Sequence, residues 1–435
     1  MSDVPRLSVV IVHEHYQQRG GEDVAVEADT DLLRSRGHRV TSYVRHNDEI
    51  KTIGPLGRPR LAANTVWSRR SRLDLAAVLD SCRPDVVHVH NTFPLISPSV
   101  FRAANERGVP VVQTIHNYRL ACASGTLLRD GAVCDDCLGR RVPLPAVRHA
   151  CYRESRSQTA VVAAMQVAHR AVHTWDRRVD LFLPVSEHAL RRLVAAGAIP
   201  AERAMVRHNH VAPDPGARPP GSDRGQVVFV GRLAPEKGVD VLVRAAALVP
   251  EVPVRIVGDG PERARVERLA GELGTTNVRF LGWLTRDEVF DELRGARCFV
   301  LPSCWEEPMG MVLIEAAALG VPVIGSSLGG TSEVVTDETG TLLAPGDVGA
   351  LAEALRDAAA RPEVWGRRGL AARRRFEAKF SAARAYDTLL AAYARVGALG
   401  VRPAGGAGEL RAPAARAGAA PGAAPGGQRG GRTAP

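Results

Sequence analysis

No uninterrupted apolar run in this 435-residue chain approaches the ~20 residues needed to span a bilayer. The opening "MSDVPRLSVVIV" has an early Asp and only a short apolar stretch, which reads as a first strand rather than a secretory leader. A cytosolic protein is therefore expected. No basic run is interleaved with aromatics, so a single-strand nucleic-acid platform is excluded. Nothing matches G-x-x-x-x-G-K-[ST], which excludes a P-loop, and "VGDGPER" lacks the third glycine of a dinucleotide fingerprint. Its Gly258 and Gly260 are read instead as allowing a flat ring or ribose to approach the backbone closely.

The composition, 45% hydrophobic and 24% charged, is that of a soluble globular protein. The net charge of +10 suits anionic partners, phosphorylated small molecules among them. Part of that excess is terminal: Arg402, Arg411, Arg416, Arg429 and Arg432 stand against Glu409.

Short β-branched runs alternate with helical stretches: "LSVVIV", "HRVTSYV", "DVVHVH", "PVVQTIH" and "DLFLPVS", then "QVVFVG", "VPVRIVG", "NVRFLG", "RCFVLPS" and "VPVIGSS". Continuous apolar strands separated by helices are what parallel sheets covered on both faces require. The expectation is α/β, two doubly wound, Rossmann-like domains facing a cleft, residues 1–210 and 226–380. The Pro- and Gly-rich segment 211–225 is the linker. A last helix over 381–398 is expected to pack back on the first domain, and a disordered Gly/Ala/Pro/Arg tail over 399–435 to follow it.

"VVFVGRLAPEKGVDVLVRAAALV" places Arg232 and Lys237 between a strand and a helix, where free N–H groups and the helix dipole favour an anion such as a diphosphate. A solvated loop with incidental cations is the alternative. "HYQQRGGEDV" puts Gly20 and Gly21 in a similar position, either a phosphate-approach loop or a simple tight turn. In "SCWEEPMGMVLIEAAALGVPVIGS" a helix is expected from about Pro308 to Leu319, with Gly320 ending it. Glu307 and Glu315 then lie two turns apart on one face and reach one ligand at two places; otherwise they merely decorate a helix N-terminus.

This acidic pair, together with "GRLAPEKG", resembles the retaining glycosyltransferases of family four and their E-x7-E signature. The resemblance covers residues 6–396 and implies the two-domain fold called GT-B. It implies that Arg232 and Lys237 grip the donor's phosphates, that the Gly20–Gly21 loop faces the same diphosphate, and that Glu315 meets the nucleotide ribose. Glu307 is then near the donor sugar hydroxyls, with Met309 and Gly310 beside it, while Asp259 and Gly260 fall on the base side. His116, in "TIHNYRLAC", matches a cleft histidine near the donor sugar. His116, Arg232, Lys237 and Glu307 form the catalytic set. His88 is read as a core or cleft histidine with a hydrogen-bond partner rather than a metal ligand.

The implied reaction moves a sugar from a nucleotide-diphosphate donor, UDP- or GDP-linked, to a hydroxyl of a glycan, lipid-linked or small-molecule acceptor with retained configuration. No cofactor is required for catalysis. The D-x-D triplet Asp29–Asp31 falls in an expected helix, unsuited to holding a donor metal. Competing readings are a nucleotide-sugar epimerase of the same layout and a non-catalytic sugar-nucleotide binder. Basic tail residues are expected to favour peripheral contact with an anionic membrane face.

"CASGTLLRDGAVCDDCLGRRVPLPAVRHAC" holds Cys122, Cys134, Cys137 and Cys151. Four thiolates in one loop-rich segment suffice for a structural zinc site; reactive thiols and ordinary buried cysteines are the other readings.

Overall fold

The computed structural model describes residues 5–399; of the expected tail 399–435, all but Leu399 lies outside the described residues. Two parallel sheets form from the apolar runs. The first has five strands in the spatial order Arg39–His46, Ser8–His15, Val86–Val89, Val111–Ile115 and Leu181–Pro184. The second has six, ordered Val278–Gly282, Val254–Val257, Gln226–Val230, Ala296–Leu301, Val323–Ser326 and Gly340–Leu343. The inner strands Val86–Val89, Val111–Ile115 and Gln226–Val230 and the edge strand Leu181–Pro184 are buried throughout, as coverage by helices on both faces demands. Gly340–Leu343 was not expected, because a four-residue edge strand opening on glycine carries little β signal.

The chain returns to its start at the end. Helix Ala382–Arg395 lays Leu389, Ala392 and Tyr393 against Val9 and Ile11 of the first sheet and against Leu7 just before it. Two tyrosines fasten it: the Tyr386 hydroxyl lies 2.7 Å from His38 Nε2, and the Tyr393 hydroxyl 2.9 Å from His88 Nδ1. His88 Nε2 meets Thr114 Oγ1 at 2.7 Å. His88 is thus a satisfied core histidine, its pKa lowered to about 3 by burial. Asp29 does lie on a helix, Gly21–Ser35, and is buried against Arg207, with Nη1 2.8 Å from Oδ2.

Candidate active site

Strands Gln226–Val230 and Ala296–Leu301 pair side by side although two strands separate them in sequence. The connections on their two sides run in opposite directions, so a crevice opens at their carboxyl ends. Into it come the loop carrying Arg232 and Lys237 and the loop Ser303 to Gly310. Gly238 lets them abut: its φ is 63°, and a Cβ there would stand 2.0 Å from the Pro302 carbonyl oxygen, so any other residue would drive the loops apart. As a result Lys237 Nζ donates to Glu307 Oε2 at 2.7 Å, and the Trp305 indole N–H donates to the same oxygen at 3.0 Å. Arg232, more than half exposed, is held by Glu236 at 2.7 Å.

The helix expected from Pro308 starts instead at Met311, with Gly310 as its cap. The chain before it is bent back: the Glu307 amide donates to the Trp305 carbonyl at 2.8 Å, and the Gly330 amide donates to the Glu307 carbonyl at 2.6 Å. Gly329, at φ 63°, packs so tightly that a Cβ would lie 2.2 Å from that carbonyl oxygen. Glu307 and Glu315 therefore do not share a helix face. Glu315 sits in the second turn of Met311–Leu319, 3.8 Å from Arg286 Nε. Burial pushes its pKa up, and Arg286 and Arg19 pull it back.

From the first sheet, Gly20 caps helix Gly21–Ser35 and its amide donates to Asp23 Oδ2 at 2.9 Å. A Cβ on Gly21 would meet the Met311 side chain at 3.3 Å, so the glycine loop lies against the start of the helix bearing Glu315. Asp23 Oδ1 is met by His13 Nε2 at 2.9 Å and His15 Nδ1 at 3.1 Å. Among the described residues, these three form the one group of potential metal ligands with all atoms within 4.8 Å; their mutual hydrogen bonds make them a brace for the loop. His116 follows strand Val111–Ile115, its Nε2 3.0 Å from His90 Nδ1, and burial lowers its pKa. The pair borders a cavity of about 50 Å³, with Glu22, Gln113, Asn117 and Arg119 also in its wall.

Asp259 and Gly260 lie on an exposed loop where Asp259 Oδ1 accepts from the Gly260 amide at 2.7 Å. The glycines here allow a close approach by another loop. A Cβ on Gly258 would stand 1.9 Å from the Gly231 oxygen, and one on Gly260 2.3 Å from the Leu233 oxygen.

Cys122, Cys134, Cys137 and Cys151 are half-buried thiols. Burial and the facing Cys122, Cys137 and Cys134 sulfurs push Cys151 up to about 11. They do not form a group with all sulfurs within 4.8 Å, so the metal-ready geometry expected of a zinc site is not set by these rotamers. Arg286, Trp305, Glu306 and the Gly329–Gly330 pair were not anticipated. The paired glycines after a strand were the one available signal.

Two family models match in succession, "Glycosyltransferase Family 4" over residues 20–214 and "Glycosyl transferases group 1" over 215–375. A glycogen synthase of Mycobacterium tuberculosis is 32% identical over 323 residues, 73% of this chain and 69% of that protein. The D-inositol 3-phosphate glycosyltransferase of Mycolicibacterium smegmatis is 31% identical over 333 residues, 72% of this chain and 67% of that one. Among solved structures, Anabaena HepE in complex with UDP and glucose superposes with a TM-score of 0.63 at 17% identity, covering 90% of this chain and all of that one. With the crevice, its paired loops and these matches together, the chain belongs to the family 4 glycosyltransferases and has the GT-B fold.

Proposed function

We propose that the protein transfers a hexosyl unit from a nucleoside-diphosphate sugar to an acceptor hydroxyl with retention of configuration, as a step in polysaccharide or glycoconjugate assembly. The observation that carries this is the 2.7 Å contact between Lys237 and Glu307, at the switch-point crevice where Arg232, Glu315 and the Gly20–Gly21 loop also gather. A sugar diphosphate laid there meets cations at its phosphates and carboxylates at its hydroxyls. Arg232, Lys237 and the first-turn amides of helix Met311–Leu319 stabilise the charge that grows on the departing diphosphate. They do so without a metal. Glu307, fixed by Lys237 and Trp305, orients the sugar hydroxyls, while Glu315 receives the ribose and Asp259 and Gly260 border the base. The acceptor enters from the His116 side, and its hydroxyl proton passes to the leaving phosphate oxygen as the new C1–O bond forms and the old one breaks. The HepE complex supports a uridine diphosphate donor, with GDP the other base to test; acceptors to test are glycans, lipid-linked sugars and small molecules.

A thermal-shift panel of UDP, GDP and their sugars tests the site, since saturation at 100 Kd stabilises by about 2.7 kcal/mol. NMR of the product then reads the anomeric configuration. Silence across the panel, an inverted product, or epimerised donor without acceptor each refutes the proposal.

A further inference from the structure

The four-cysteine segment is attached to the donor loop by ion pairs. Hairpin strands Leu128–Arg129 and Ala132–Val133 deliver the Cys134–Cys137 turn. That turn is closed by the Cys134 amide donating to the Leu127 carbonyl at 2.8 Å and the Leu138 amide to the Asp135 carbonyl at 3.0 Å. Arg129 Nη1 braces it through Asp136 at 2.6 Å. Cys122 arrives from a separate turn, its amide 2.8 Å from the Tyr118 carbonyl, and Cys151 from the end of helix Leu144–Arg148.

Leu127 and Ala146 anchor the segment in the first domain's core, but its outer turns have little apolar support. Val133, Val142 and Leu144 are exposed. Leu127, Asp130, Ala150, Arg153 and Glu154 all hold positive φ between 51° and 53°, a conformation that persists only where the surroundings over-determine it. A cross-link of four soft ligands meeting from three turns supplies such a constraint.

The turn also has a reach. Asp135, between the two knuckle cysteines, pairs with Arg192 Nη2, and Arg192 Nε donates to Glu306 Oε2 at 2.8 Å. His188 Nε2 stands 3.4 Å from the other Glu306 oxygen. Glu306 is the residue before Glu307.

We propose that Cys122, Cys134, Cys137 and Cys151 bind one structural zinc ion, and that the knuckle so fixed holds Asp135 on Arg192 and thereby positions the Glu306–Glu307 loop. Binding draws the sulfurs together to the ~3.8 Å separation of a tetrahedral set with ~2.3 Å zinc–sulfur bonds and releases the thiol protons to solvent. Asp135 and Arg192 are positioning residues; neither touches substrate.

The metal arm uses the full chain purified without chelators and needs no sugar nucleotide. One zinc per chain is expected by elemental analysis, with an X-ray absorption shell of four sulfurs at ~2.3 Å. Zinc-free protein, iron in its place, disulfides among the four cysteines, or a shell containing fewer sulfurs overturns the site. The coupling arm rests on the sugar-transfer reading. Asp135→Asn is expected to keep its zinc and its donor KM while kcat falls about tenfold, the size of a small misplacement at the reacting centre, and Asp135→Glu is expected to recover most of it. Unchanged kcat with zinc retained refutes the coupling, and a nucleotide-binding failure in the wild type refutes the function instead.

Discussion

Replacing Lys237 with Ala removes the cation from Glu307 at the crevice. At 2.7 Å and an effective dielectric of 20, the gross Coulomb attraction is ~6 kcal/mol. Desolvation of both groups reduces it to the ~1.5–3 kcal/mol of a charge-assisted bond. Glu307 keeps the Trp305 indole at 3.0 Å, and the Lys237 side chain is 20% exposed, so the folding loss is expected at about 1–2 kcal/mol, below the range for stranding a fully buried charge. Turnover is expected to suffer more, because in the proposed reaction the ammonium also faces the departing diphosphate; loss of one such donor costs ~10²–10³ in kcat. Urea denaturation measures the first quantity and nucleotide release at saturating donor the second. Glu307→Gln, which keeps shape and removes charge, completes a double-mutant cycle with an expected coupling of about 0.5–3 kcal/mol. A Lys237→Ala enzyme with near-native kcat, or a kcat loss no larger than the stability loss, refutes the reasoning.

Arg286→Ala leaves Glu315 buried with only Arg19 to offset it, so donor KM is expected to rise about tenfold, the loss of one charged contact, with little change in a urea melt; unchanged KM refutes the ribose assignment. Gly329→Ala forces a Cβ to 2.2 Å from the Glu307 carbonyl oxygen at φ 63°, and initial-rate assays are expected to show activity lost well before the fold unravels. Asp29→Asn strands Arg207, which is 2% exposed, and is expected to cost ~3–5 kcal/mol by urea denaturation. Burial raises the Asp29 pKa, but the Arg207 and His210 interactions outweigh it and hold the group below its usual 3.8. The folded carboxylate therefore binds its proton less readily than the unfolded one, so its stabilisation is present above pH 3.8 and is lost as pH falls below that through the depressed value. Acid titration of the wild type against Asp29→Asn reads this directly; parallel curves refute it.

The two-sheet α/β architecture was legible because buried parallel strands announce themselves as apolar β-branched runs, as in "QVVFVG" and "RCFVLPS". The loops bearing Lys237 and Glu307 could be picked out for the same reason, each following such a run. What the one-dimensional pattern does not contain is strand order. Only the pairing of Gln226–Val230 with Ala296–Leu301 puts those loops side by side. The start of the helix after Glu307 was misplaced because the backbone hydrogen bond from Gly330, distant in sequence, holds Glu307 out of it. Arg286 opens a helix that reads as a solvated surface element, and only packing brings it to Glu315. Gly258 and Gly260 were recognisable as places of close approach, and the neighbouring loop that packs on them is visible only in the tertiary structure. Local pattern thus determined which segments are strands and where polar chemistry interrupts them; long-range contacts decided which of those interruptions meet, because side-chain distances across a crevice depend on sheet order and loop packing rather than on any period along the chain.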